Sequence, residues 1–347
     1  MNKYLLILSF LIILIGCNDS STNNPQQKKL KIAAILDLSG HYRIYGLECK
    51  QALELIQKKY SNFEINFFDC QGINESADSI LNLIIAEDKK PVIVTLSSWI
   101  SNYLAEKIAQ NNLLHIPVGS TAFNRSDLLS SVLMTVRVNN ESEFLINKLS
   151  DYNKIAVMYI NNDLGKSWNA NLINGLGNKV VATELYDDSK TDFTEELIRI
   201  ASKKPDVVVL ITTSETNTIL NQARTLGISS KFIGTRPVLT NKLLSDSISN
   251  GLIFSYPKIN YNFSLIKEFQ TEYGYRPTAF SAECIDLCLL LKNAANSSKY
   301  TRDEVFQFTK NSTMSGSFNY IKFDELCRAE YEFTLMKIKN GSFEELE

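Results

Sequence analysis

Histidine is nearly missing: the 347 residues contain only His41 and His115. Two imidazoles leave little general-base chemistry on offer and argue against a zinc cluster. The short catalytic signatures are missing too, since no G-x-S-x-G elbow, no H-E-x-x-H pair and no dinucleotide-binding glycine pattern occurs in the chain. Asp187 and Asp188 are adjacent in a polar loop, where solvation accounts for them. An enzyme is therefore disfavoured, and no cofactor is expected. An excess of one charge is also lacking: 36 Lys and Arg stand against 38 Asp and Glu, for a formal net charge of -2. No strongly basic face is available for nucleic acid. No Pro/Gly/Ser-rich or highly charged stretch interrupts the middle of the chain, which argues against two halves joined by a single flexible tether.

What is present begins at the N-terminus. MNK is followed by the apolar run YLLILSFLIILIG, too short for a comfortable transmembrane span, and this predicts an export signal over residues 1–16. It ends in Leu14-Ile15-Gly16-Cys17, which resembles the lipobox of bacterial lipoproteins. That resemblance implies that Cys17 is diacylated, becomes the new N-terminus and anchors the chain to the extracytoplasmic face of a membrane. The polar segment NDSSTNNPQQKK then predicts a disordered tether, residues 17–29, with the folded part starting near Leu30. Beyond Cys17 the cysteines are Cys49, Cys70, Cys284, Cys288 and Cys327, an odd number for an exported chain, so at least one thiol is free or intermolecular. Cys284 and Cys288 lie one helical turn apart in an apolar helix and read as core thiols in preference to a metal pair.

From Leu30 onward short apolar runs alternate with amphipathic segments. Strands are expected at 31–38, 64–69, 91–96, 113–118, 154–160, 179–185, 206–212 and 231–234, with helices of i, i+3, i+4, i+7 periodicity between them, as in DFTEELIRIASKK. Strands spaced in this way form βαβ units, whose crossovers favour parallel sheets with helices on both faces. The strand count needs two such sheets, so the expected fold is α/β: two lobes, each a doubly wound, mostly parallel sheet. Ligands of open α/β sheets bind outside the carboxyl ends of the strands, so two facing lobes would enclose a cleft lined by βα turns.

One such turn, INNDLGKSW (160–168), looks like half of a phosphate-binding loop. Gly165, Lys166 and Ser167 fit, but Ile160 stands where the first glycine is needed for N–H groups to turn inward around phosphates. The stretch is read as an ordinary strand-to-helix turn.

Taken together, IAAILDLSGHYRIYG, PVIVTLSSWIS, HIPVGSTAF, KIAVMYINNDLGKSW, NQARTLGISSKFIG and ISNGLIFSYP make the chain, from about Lys31 onward, similar to the type I periplasmic binding proteins. The likeness is to the leucine/isoleucine/valine-binding group of ABC-importer receptors. It implies two lobes joined by three hinge crossovers: residues 30–138 with 255–326, and residues 139–254 with 327–347. It also implies a monomer that captures an amino acid or other carboxylate-bearing metabolite and presents it to an ABC permease. A ligand carboxylate would be held by Ser98 and Thr121, and the ligand ammonium by the Gly119 carbonyl. Hydroxyls and N–H groups at a helix N-terminus suit an anion without an opposing charge. Tyr45 either flanks the ligand side chain or packs at a sheet end. Leu164, and Thr213 with Ser214, occupy second-lobe turns where the family places aromatic covers.

The acidic partner of the ligand ammonium aligns with Arg236, which accepts no hydrogen bond and would repel an ammonium. Three readings stay open: Arg236 grips an anionic group of the ligand, Glu215 in TTSET supplies the missing charge, or Arg236 points to solvent. A second class of function is also open, in which the fold has lost its ligand and regulates envelope enzymes or a membrane receptor.

Overall fold

The computed structural model describes residues 29–87, 89–124 and 131–346. The export signal, Cys17 and the tether as far as residue 28 lie outside the described residues.

The first sheet is wholly parallel. It contains β1 (Leu30–Leu36), β2 (Phe63–Asp69), β3 (Val92–Leu96) and β4 (His115–Val118) in the order β2-β1-β3-β4. Its crossovers are α1 (Arg43–Lys59), α2 (Asn74–Ala86) and α3 (Ser98–Gln110). Helix α1 buries Tyr45, Cys49, Ala52, Leu53 and Ile56, the stripe expected of a helix lying on a sheet. Helix α4 (Val138–Leu149) then leads into the second sheet, through β5 (Ile155–Ile160), α5 (Asp163–Leu176), β6 (Val180–Tyr186), α6 (Thr194–Ser202), β7 (Val207–Ile211), α7 (Thr216–Thr225), β8 (Lys231–Gly234), α8 (Asn241–Ser245) and β9 (Ile253–Pro257). Every residue of β7, VVVLI, is buried, because this strand is covered on both faces.

After β9 come α9 (Ser264–Tyr273), α10 (Ala279–Asn296), which packs on α1, and α11 (Arg302–Thr309). A small antiparallel sheet follows, made of β10 (Thr313–Gly316), β11 (Asn319–Phe323) and β12 (Ala329–Glu330). The hairpin β13 (Phe333–Lys339) and β14 (Ser342–Glu345) returns to the second sheet, whose order is β14-β13-β9-β8-β7-β5-β6. The chain thus passes between the two sheet regions three times: from β4 to α4, after β9, and from β12 to β13.

All eight expected strands are present, with ends moved by at most two residues. The C-terminal strands carry no separate βαβ signal, since they pair antiparallel to a strand already placed.

The two sheets share a device at the start of their helices. A Cβ on Gly46 of α1 would lie 1.7 Å from the Asp37 carbonyl oxygen, and one on Gly165 of α5 would lie 1.9 Å from that of Ile160. Each glycine lets a helix begin directly against the end of its strand. Gly165 in the phosphate-loop look-alike is explained by this packing. The cysteines Cys49, Cys70, Cys284, Cys288 and Cys327 are all free and buried.

Candidate ligand-binding cleft

The carboxyl ends of the two sheets face one another, and contacts cross the gap. The Tyr45 hydroxyl donates to the Pro237 carbonyl at 2.8 Å, and Asn102 Nδ2 donates to Asp163 at 3.0 Å. At the rim, His41 Nε2 lies 3.3 Å from Asp188 and 3.4 Å from the Ser214 hydroxyl. These contacts enclose about 430 Å³ of empty space, open solvent at its mouth included.

Six of the residues expected at a site line this cavity: Tyr45, Ser98, Gly119 and Thr121 from the first sheet, and Leu164 and Thr213 from the second. Leu96, Ser97, Trp99 and Tyr42 complete the first wall, Asn162 and Pro237 the second, and Phe280 of α10 closes the back. Trp99 and Tyr42 pack together with ring centres 4.6 Å apart, and Tyr45 and Phe280 with centres 4.7 Å apart. Burial pushes the Tyr42 and Tyr45 phenols up, with Asp188 adding to the first and Glu215 to the second, so both stay neutral.

The strongest polar feature is the N-terminus of α3. Ser97, its N-cap, has φ 75° and ψ 150°, a region adopted with ease only by glycine, and makes no side-chain cap. Its hydroxyl is buried and has no hydrogen-bond partner. The strain is held from behind. The Ser120 hydroxyl donates to the Ser97 carbonyl at 3.0 Å and lies 2.7 Å from that of Ser101. Thr95 links Ser101 to His115 Nε2, 2.7 Å from each. Burial drives the His115 pKa down to about 3, so the imidazole is neutral in this network. Ser98 Oγ accepts from the Ala122 amide at 3.1 Å, a contact that does not use its proton. With the first helical N–H groups it forms a natural anion site.

Two expected residues are placed elsewhere, and both expectations are corrected. Ser214 sits at the rim against His41, outside the lining. Arg236 is not among the lining residues: its guanidinium is fully buried, ion-paired with Glu283 of α10 at 2.8 Å and stacked 4.5 Å from the centre of the Phe280 ring. It therefore lies outside the lining and does not point to solvent, and its Nε and second Nη have no hydrogen-bond partner. A buried carboxylate needs such a partner, and Glu283 also accepts from the Gly119 amide at 2.7 Å and the Val136 amide at 3.1 Å. Glu141 of α4 accepts from the Arg236 amide at 3.0 Å and from the Ser255 hydroxyl. Val136 belongs to the first passage between the sheets and Ser255 to β9, just before the second passage, so this cluster sits beside the hinge. Burial raises the pKa of both Glu141 and Glu283, and Arg236 opposes that rise. Glu215 is engaged by the Thr213 amide and hydroxyl and the Tyr186 hydroxyl.

Sequence reasoning passed over Ser97, Trp99, Tyr42, Asn162, Pro237 and Phe280. Ser97 and Trp99 flank Ser98, so their place in the same turn was a usable signal. Phe280 had none, because its helix reaches the cleft only through tertiary packing. Among the described residues no group of three or more His, Cys, Asp or Glu could hold a metal ion, and no helix is long and apolar enough to cross a membrane.

A family model described as periplasmic binding protein matches residues 29–342. A search of curated proteins returns no significant match. Among solved structures, an extracellular ligand binding receptor from Desulfohalobium retbaense is 28% identical, with a TM-score of 0.87 over 92% of this chain and 60% of that one. The present chain thus spans less than two thirds of that receptor's length. The branched-chain amino acid transporter substrate binding protein LivJ from Streptococcus pneumoniae, in complex with isoleucine, is 18% identical, with a TM-score of 0.82 over 92% of this chain and 99% of that one. An ABC transporter solute binding protein from R. palustris in complex with benzoate is 15% identical, with a TM-score of 0.84 over 92% of this chain and 95% of that one. The last two likenesses establish the fold: two α/β lobes around a cleft.

Proposed function

The chain belongs to the periplasmic binding protein family, and from that membership we propose that it is an extracytoplasmic solute receptor of an ABC importer. The observation that carries this is the uncapped N-terminus of α3, with Ser98 and Thr121 beside it, opening into a cavity bounded by the strand-end turns of both sheets.

A ligand carboxylate would take the α3 N–H groups and the Ser98 and Thr121 hydroxyls, while Tyr45, Phe280 and Leu164 would cover an apolar body. Because lining comes from both sheets, ligand binding favours the closed arrangement by the contacts that only closure makes, and a permease would distinguish closed from open lobes. Lipidation at Cys17 would keep the receptor at the membrane.

A thermal-shift screen of amino acids, carboxylic acids and short peptides tests the reading. A ligand at a hundred times its Kd stabilises the folded chain by about 2.7 kcal/mol, a shift of several degrees. Absence of a shift across the panel rejects a receptor and favours the ligand-free interaction protein. For the anchor, Cys17→Ala is expected to release the chain from the membrane fraction, and full retention would contradict lipidation.

A further inference from the structure

Resting on the receptor reading, the geometry points to a narrower ligand class: a small carboxylic acid with an apolar body and no ammonium group. None of the cavity-lining side chains carries a charge. Glu283 is committed to Arg236 and two backbone amides, Glu215 to Thr213 and Tyr186, and Asp188 stands at the rim between Tyr42 and His41.

The neutral acceptors are largely committed as well. The Pro237 carbonyl takes the Tyr45 hydroxyl, the Thr213 carbonyl takes the Thr216 hydroxyl at 2.8 Å, and the Thr121 carbonyl takes the Val138 amide at 2.9 Å. Asn162 Oδ1 takes the Gly165 amide at 3.1 Å. The Gly119 carbonyl and the lone pairs of the Ser97, Ser98 and Thr121 hydroxyls are left, all of them neutral, and none supplies the negative charge that a buried ammonium calls for. The Phe280 ring, which lines the cavity, already bears the Arg236 guanidinium 4.5 Å from its centre, so a second cation against that ring meets like charge.

Donors, by contrast, are in surplus. The first N–H groups of α3 have no capping side chain, and Ser97, a lining residue only 8% exposed, has a buried hydroxyl without a partner. Helical N–H donors without a cap, in a lining that offers no charged acceptor, select an anion without a cation. The rest of the wall, Leu96, Trp99, Leu164 and Phe280 among it, offers only apolar surface to the body of the ligand.

The test is calorimetric titration and thermal shift on the full chain, purified in mild detergent, with acids and amino acids that differ only in the ammonium: 4-methylpentanoate against leucine, and 3-phenylpropionate against phenylalanine. Benzoate and a wider panel of dicarboxylates, sugars and peptides are run beside them. The expected result is that at least one acid binds roughly 100-fold more tightly than its amino acid, the scale of burying an ammonium without a partner. An amino acid binding as tightly as its acid, or more tightly, overturns the inference. Stabilisation only by compounds outside the apolar acids overturns it too, while leaving the receptor reading intact. No stabilisation by any compound removes the receptor reading and this inference with it.

Discussion

Helices α3 and α5 both begin at the mouth of the cleft, one from each sheet, and they treat their N-termini in opposite ways. Asn162 caps α5 in extended backbone, its side chain accepting from the Gly165 amide. Ser97 precedes α3 at φ 75° with no side-chain cap and its hydroxyl unpaired. The start of α5 satisfies one of its donors with its own cap, whereas the start of α3 holds donors in reserve and bears backbone strain to do so. A helix end left buried without partners marks the place where a ligand is expected to supply them.

The comparison needs a hinge that keeps the two termini face to face, and the largest effect is expected there. Arg236→Met should cost about 3–5 kcal/mol in urea unfolding, because it leaves the Glu283 carboxylate buried without its partner. The double variant Arg236→Met, Glu283→Gln should recover part of that loss. Unchanged stability with lost ligand affinity would instead return Arg236 to the cavity.

Next is the network behind Ser97. His115 is held neutral with its pKa near 3, below the unfolded value, so the folded chain takes up its proton later than the unfolded chain does as pH falls. Its contribution is present above about pH 6.5 and is lost progressively as pH drops towards 3, roughly 2 kcal/mol by pH 5. In His115→Gln, the slope of stability against pH over that window should flatten, whatever the substitution does to absolute stability. An unchanged slope would show that the imidazole is already protonated in the folded chain.

Binding and capping then separate the two helix ends. Ser98→Ala should weaken an apolar acid roughly tenfold or more by removing a hydrogen bond to a charged group, with a smaller stability loss from the freed Ala122 amide. Equal affinity would place the anion elsewhere. Asn162→Ala should cost about 1 kcal/mol of stability as a lost cap and change affinity less than Ser98→Ala does. Ser97→Gly should do the reverse, raising the stability of the empty protein by about 1 kcal/mol through relief of its positive φ while lowering affinity. If the two variants behave alike in denaturation and titration, the contrast between α3 and α5 has no functional content.

The sheets were legible because strands buried on both faces write themselves as unbroken Val, Ile and Leu runs, as VVVLI does in β7. The turns followed from the strands, so Ser98, Thr121 and Leu164 could be placed near a strand end before any coordinates. Ser97 was not legible as special, because nothing in LSSW distinguishes a strained serine from its neighbour; the strain is imposed by Ser120 and the hydroxyl network. Arg236 was misplaced for a related reason. Its partner Glu283 lies in SAECIDLCLLL, where acids in an otherwise apolar helix signal buried charge in need of compensation, but sequence alone does not say which cation answers. Phe280 and Pro237 reach the cleft only through packing between distant segments.

The most direct test is a crystal structure of the protein with its tightest-binding acid. The account predicts that the carboxylate lies against the N-terminus of α3, within hydrogen-bond distance of its first N–H groups and the Ser98 hydroxyl, with the apolar body towards Phe280 and Leu164. A carboxylate bound at Asn162 and the start of α5, or a ligand outside the cleft, would contradict it.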